Sequence, residues 1–407
     1  MSSYLNRFGP GLLVTAAFIG PGTITTASKA GAGFGFALLW TVLFATAATI
    51  VFQEMSARLG LVTRRGLGEA IQTTFEQKVI RLACCGLVAA AIGFGNAAYE
   101  TGNITGAAIG LSVLSDISVQ TWSIILGGVA FALLLIGRYK LIERVLVVLV
   151  IMMSLTFLVT ATMLRPDLGQ LLKGALVPTL PDGSLLTVIG LIGTTVVPYN
   201  LFLHASSVQE KWPTTVPKPQ ALREARVDTS IAVALGGLIT LAVVSTAAAA
   251  FYERGEMTSP AEMAKQLEPL LGGPAAKILF AFGLVSAGLT SAITAPLAAA
   301  FAICGSFGWP IDLKSWRFRA IWILVLTTGT LVAASGTKSP ASTILIAQAA
   351  NGLLLPLIAV FLLFAVNRRD LMGEYKNGWR GNLAGGIVVL VATGLGIHTL
   401  VTRVFGG

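Results

Sequence analysis

Charge is what this sequence lacks most. Only 11% of its 407 residues are Asp, Glu, Lys or Arg, against roughly a quarter in a soluble domain. Mean hydropathy is +0.82, which excludes an ordinary aqueous fold and predicts an all-α integral membrane protein. Histidine occurs twice and cysteine three times. Cys84, Cys85 and Cys304 all lie in apolar stretches, with no disulfide framework or metal-ligand spacing. They read as small buried hydrophobes. No His, Cys and carboxylate cluster is spaced for chemistry, so neither an enzyme nor a cofactor is expected.

What is present is a succession of long apolar runs. Spans of about 20 residues fall near 9–33, 36–57, 80–111, 118–137, 141–163, 184–209, 227–252, 275–303, 317–336, 341–366 and 382–402, giving 11 transmembrane helices. The stretch from Gly9 to Gly22 runs on into a second span without a cleavage region, and reads as a membrane helix instead of a signal peptide. The net charge of +10 reflects topology more than partners. Most of the 28 Lys and Arg fall on one side, including Arg7, Arg58, Arg64, Arg65, Arg226, Arg317, Arg368 and Arg369. The positive-inside rule then places the N-terminus in the cytoplasm and the C-terminus outside, in a multi-pass protein of the cell inner (plasma) membrane. The lipid bilayer is the expected partner, with no nucleic acid and no obligate protein partner evident. The loops Leu164 to Gly183 and Glu253 to Gly273 have room for short surface helices, and Glu210 to Arg226 reads as a proline-containing connector.

Two of the apolar spans are interrupted. Ala16-Ala17-Phe18-Ile19-Gly20-Pro21-Gly22-Thr23 interrupts the first, and Thr194-Thr195-Val196-Val197-Pro198-Tyr199-Asn200 the sixth. A proline removes one backbone donor and crowds the preceding turn. In lipid such a break is tolerated only where it lines a cavity or binds something. A matched pair of breaks, one per half, is the sequence mark of a secondary transporter's substrate site. Residues 1–407 then form a single membrane domain: two inverted five-helix repeats, 9–163 and 184–366, each opening with its broken helix, and an extra helix at 382–402.

Gly193-Thr194-Thr195-Val196-Val197-Pro198-Tyr199-Asn200-Leu201-Phe202-Leu203-His204 closely resembles the sixth-helix signature of the Nramp family of divalent-metal transporters. That signature reads Met-Pro-His-Asn followed by Leu-(Phe/Tyr)-Leu-His. Gly9-Pro10-Gly11 and Gly20-Pro21-Gly22-Thr23 are similar to the family's first helix, which reads Gly-Pro-Gly and then Asp-Pro-Gly-Asn. Gly106 to Leu111 and Ala57 to Gly60 resemble its third and second helices. The resemblance implies the LeuT-type fold, with broken helices 1 and 6, and alternating access. It also marks departures. The family's metal site uses the Asp and Asn of the first motif and the Met of the second; Gly20, Thr23 and Val197 stand there, and Tyr199 replaces the motif histidine. A carboxylate supplies charge for a dehydrating cation, and a thioether selects soft metals. With both gone, no transition-metal site is expected.

Gly20, Gly22, Thr23, Thr194, Val197, Tyr199 and Asn200 therefore read as the lining of a neutral substrate site. Its exposed amides and hydroxyls at a half-helix N-terminus suit a small anion, bicarbonate or a carboxylate, or a polar solute. Ala287-Gly288-Leu289-Thr290-Ser291 resembles the eighth helix of the neurotransmitter:sodium symporters. That resemblance implies a coupling sodium ion held by Ala287, Thr290 and Ser291 with the carbonyls of Ala16 and Ile19. Glu100 occupies roughly the place of an Asp on the Nramp proton pathway, and Asn103 the place of its Glu; Glu100 either carries a proton or pins the third helix to a neighbour. His204 reads as a gating or proton-transfer residue on the inner route, or as a hydrogen-bonded packing residue. Glu54 is placed to pair with Arg58 one turn on. The expected function is cation-coupled (Na+ or H+) symport of a small anion or polar solute. The alternative is proton-coupled transport of a divalent metal cation such as Mn, Fe or Mg.

Overall fold

The computed structural model describes residues 9–405, apart from 75, 138–139, 254–259 and 337–338; Arg7 lies outside the described residues. A helix broken in two opens the chain as α1 (Pro10–Phe18) and α2 (Pro21–Phe34). The first half continues through α3 (Leu39–Thr63), the short α4 (Leu67–Thr74), α5 (Lys78–Ser112), α6 (Val119–Ile136) and α7 (Lys140–Met163). After the short α8 (Leu168–Leu176), a second broken helix opens the other half as α9 (Leu185–Thr195) and α10 (Pro198–Lys211). It is followed by α11 (Lys218–Phe251), a 3-10 segment at Pro260–Leu267 running into α12 (Glu268–Leu271), and α13 (Gly273–Phe307). Then come α14 (Trp316–Ala334), α15 (Pro340–Asn367), the short α16 (Arg369–Met372) and α17 (Trp379–Phe405). Among the described residues ten helical spans are long and apolar enough to cross a bilayer; the α1–α2 pair makes the eleventh crossing. Side chains such as Ile124, Leu324 and Leu390 lie exposed on the perimeter, as a lipid-facing surface requires.

Both loops expected to hold short helices do so. The connector before the seventh span is a correction. Helix α11 starts at Lys218 instead of near 227, and Pro219 lies in its first turn. A proline there forfeits no hydrogen bond, because the first-turn amides have no partner within the helix. Pro217 and Pro219 start the helix, and Pro213 lies in the short turn before it. A consequence is a contact that spacing alone did not suggest. Glu54 pairs with Arg58 at 3.3 Å and also with Arg226 of α11 at 2.9 Å, tying α3 to α11 at the basic end. Arg58 in turn donates to the Tyr375 carbonyl at 2.6 Å and to Asn377, which holds the segment before α17 in place.

The two breaks share one backbone geometry. Ile19 closes α1 at φ −79°, ψ 67°, and Val196 closes α9 at φ −92°, ψ 72°. Gly20 and Val197 are then extended, and Pro21 and Pro198 each start the next half-helix. Proline is pre-set for that position and lacks the N–H that would have no partner there. Helix α5 crosses the first break closely: a Cβ on Gly106 would overlap the ring of Pro21. The polar ends of four half-helices thus meet in the middle of the bundle.

Candidate functional site

The site is a patch of buried polar side chains on apolar elements. Thr23 in the first turn of α2 and Thr194 near the end of α9 bring their hydroxyls to 2.7 Å. Thr23 Oγ1 also donates to the Phe18 carbonyl at the end of α1. A hydroxyl has one proton, so Thr194 must be the donor to Thr23. The result is a relay, Thr194 to Thr23 to Phe18 O, that joins the two breaks. Asn200, in the first turn of α10, is buried with neither amide atom hydrogen-bonded among the described residues. Tyr199 is likewise fully buried. Its ring stands edge-on to Tyr99 of α5, with centroids 5.6 Å apart. Val197 is buried beside them. Unpaired buried polar atoms are rare in folded proteins, and each calls for a water, an ion, a ligand or local strain to account for it.

The two glycines of the first break differ. A Cβ on Gly20 would stand 3.3 Å from Ser291 Oγ of α13 and 3.8 Å from the Tyr99 hydroxyl, so Gly20 packs tightly against two polar side chains. Gly22 does not line open space as expected from the sequence. The amide end of Gln348 of α15 fills that position, and a Cβ would overlap its Nε2. Gln348 is fully buried and both its amide atoms lack partners among the described residues. It is a candidate site residue that sequence reasoning missed. Its signal was a pair of amides one turn apart, Gln348 and Asn351, in an otherwise apolar span, since polar groups are costly inside a membrane.

The residues expected to hold sodium are only partly assembled. Ser291 Oγ is buried, without a partner among the described residues, and faces the first break. The Thr290 hydroxyl is engaged within its own helix, 2.8 Å from the Ser286 carbonyl and 3.1 Å from that of Ala287. Ala287 and Ile19 are buried; Ala16 belongs to α1, and its side chain lies outside the described set. Glu100 is fully buried in α5, accepting a hydrogen bond from Asn103 Nδ2 at 3.2 Å with Oε2, while Oε1 has no partner among the described residues. Gly329 of α14 packs against it. His204, also fully buried, bridges three helices. Its Nδ1 is 2.8 Å from Gln53 Oε1 and its Nε2 faces the Thr229 hydroxyl at 3.4 Å. Among the described residues no three His, Cys, Asp or Glu side chains come together.

Known proteins resemble the chain along nearly its whole length. The natural resistance-associated macrophage protein-like (Nramp) family profile matches residues 11–402. A divalent metal cation transporter MntH of Pectobacterium carotovorum subsp. carotovorum is 29% identical, covering 99% of this chain and 95% of that protein. The MntH of Yersinia pestis is also 29% identical, covering 98% and 95%. Among solved structures, a manganese transporter of Eremococcus coleocola superposes with a TM-score of 0.78 at 23% identity, covering 99% of this chain and 87% of that one. The transporter Mhp1, of the nucleobase-cation-symport-1 family, superposes with a TM-score of 0.56 at 18% identity, over 98% and 93% of the two chains. The fold is therefore the LeuT-type membrane fold, and the chain belongs to the Nramp family.

Proposed function

We propose that this protein is an alternating-access carrier of a hard divalent cation, which it holds through neutral oxygens with part of its water shell retained. The single observation behind this reading is the hydroxyl relay between the breaks, with Asn200 unpaired beside it. Half-helices α1 and α9 point their carbonyl ends into the site, and a helix C-terminus carries partial negative charge that favours cations. The opposing amide ends are weakened for anion binding, since Pro21 and Pro198 each remove one donor. Hydroxyl, amide and backbone oxygens are hard ligands, suited to an ion that sheds water reluctantly. The relatives named divalent metal cation transporters support the same cargo class, whereas the small-anion reading finds no support among them.

The basic end of the bundle is assigned to the cytoplasm, and the two halves act as the inverted repeats 9–163 and 184–366. Glu100 serves as the proton-bearing group, an isolated carboxyl group in the middle of a membrane helix. A second coupling ion, sodium, is favoured by one feature, the buried Ser291 hydroxyl aimed at the first break.

Proteoliposome uptake of Mg2+, Mn2+, Ca2+ and bicarbonate, with pH gradient and sodium varied independently, tests the reading. The expected result is divalent-ion uptake driven by a pH gradient. It falls by at least about tenfold in Thr23→Val and Asn200→Ala, as a lost ligand contact predicts, and loses its pH-gradient dependence in Glu100→Gln. Sodium-driven uptake of bicarbonate with no divalent movement would replace it with anion symport.

A further inference from the structure

Helix α1 begins without a cap of its own. Its N-cap is Gly9, with no side-chain cap hydrogen bond, and its first turn holds no acidic residue. The first amides of any helix need an acceptor from elsewhere, and its positive end favours an anion. Here the acceptor comes from another helix: Gly11 N–H donates to Asp228 Oδ2 of α11 at 2.7 Å, across 217 residues of chain. The fit is close. A Cβ on Gly9 would overlap the Asp228 carboxylate. One on Gly11 would stand 2.6 Å from the Asp228 carbonyl oxygen and 2.9 Å from Thr229 Cα. Further along the same seam, Gly236 of α11 faces Phe18 and Thr15 of α1. The seam thus runs the length of α1 to Phe18, whose carbonyl receives the Thr23 hydroxyl. The start of α1 and the break are ends of one short rigid rod.

We propose that Asp228 is a positioning residue, the latch that holds the inner half of the first broken helix shut against α11. Release of its bond to Gly11 lets α1 lift away and opens the site toward the basic end. Its neighbour Thr229 faces His204, so the latch lies next to the buried histidine bridge. This inference rests on the alternating-access reading but not on the identity of the cargo.

The test uses the full-length protein with Cys84, Cys85 and Cys304 replaced by Ala and a single reporter thiol introduced. Ala232 lies on α11 one turn beyond Asp228 and is 3% exposed. Its place between Thr229 and Gly236 puts it beneath α1. Val244, farther along α11 beside Gly31 of α2, supplies the control. Membrane-impermeant maleimide is added from the basic side to Ala232→Cys and, separately, to Val244→Cys. Asp228→Ala should speed labelling at 232 by about tenfold, as expected for losing a hydrogen bond to a charged group. It should leave the rate at 244 unchanged. Gly11→Ala, whose new methyl collides with backbone and not with the carboxylate, should do the same by an independent route. An unchanged rate at 232 in Asp228→Ala overturns the latch whatever the protein carries. Equal acceleration at 232 and 244 also overturns it, since that is general loosening of the fold. Uptake by the same variants is measured separately, so a wrong cargo and a wrong latch give different results.

Discussion

Thr23 and Thr194 meet across 171 residues of chain, and around them the decisive features are single atoms. A Cβ on Gly20 would stand 3.3 Å from Ser291 Oγ, a tight contact that the Ser291 side chain must ease by a few tenths of an ångström. Gly20→Asp is tested first for folding by its melting temperature in detergent. It places a full negative charge within a few ångströms of the cargo, where an effective dielectric near 20 gives about 4 kcal/mol at 4 Å before desolvation. A divalent cargo should bind at least about tenfold more tightly, read by isothermal titration with Mn2+. Gln348 gives the complementary case. Both of its amide atoms are buried without partners among the described residues, at a cost of about 1–3 kcal/mol. Gln348→Met keeps the length and removes that cost. Its melting temperature in detergent should rise while uptake falls. The breaks that carry Thr23, Thr194, Tyr199 and Asn200 were legible in the sequence because proline announces each of them. Gln348 was not, because it reaches Gly22 from more than 300 residues away and no spacing rule joins them.

At the scale of elements, apolar runs fixed the number and order of the spans, and the breaks appear where proline and glycine placed them. Helix starts were less legible. Pro219 reads locally as a loop residue but lies in the first turn of α11, because a proline is harmful only after the amides begin to have partners within the helix. The ion pair from Glu54 to Arg226 was hidden by that misplacement. Helix α5 also sets the position of α2: Gly106 sits on Pro21 with no room for a side chain. Gly106→Val should push the start of α2 out of place and cost about 1–3 kcal/mol by overpacking. Thermal unfolding would register the loss. Uptake should fall more than stability, because the displaced turn carries Thr23.

For the whole molecule, the pattern is a hydrophobic shell around a polar seam between its two halves. Family membership was legible from the second break; the neutral lining pointed the sequence reading to an anion, while the named relatives point to a cation. The sequence reading weighed the amide ends of α2 and α10 and not the carbonyl ends of α1 and α9, which meet at the same place. The relay between the breaks has a consequence for the cycle. The Thr23 and Thr194 hydroxyls bond one another across the breaks, so a cargo held by their oxygens, as proposed, would have to exchange for that contact. On that reading binding is a replacement and not a simple addition, and the cargo itself unties the link between the two halves.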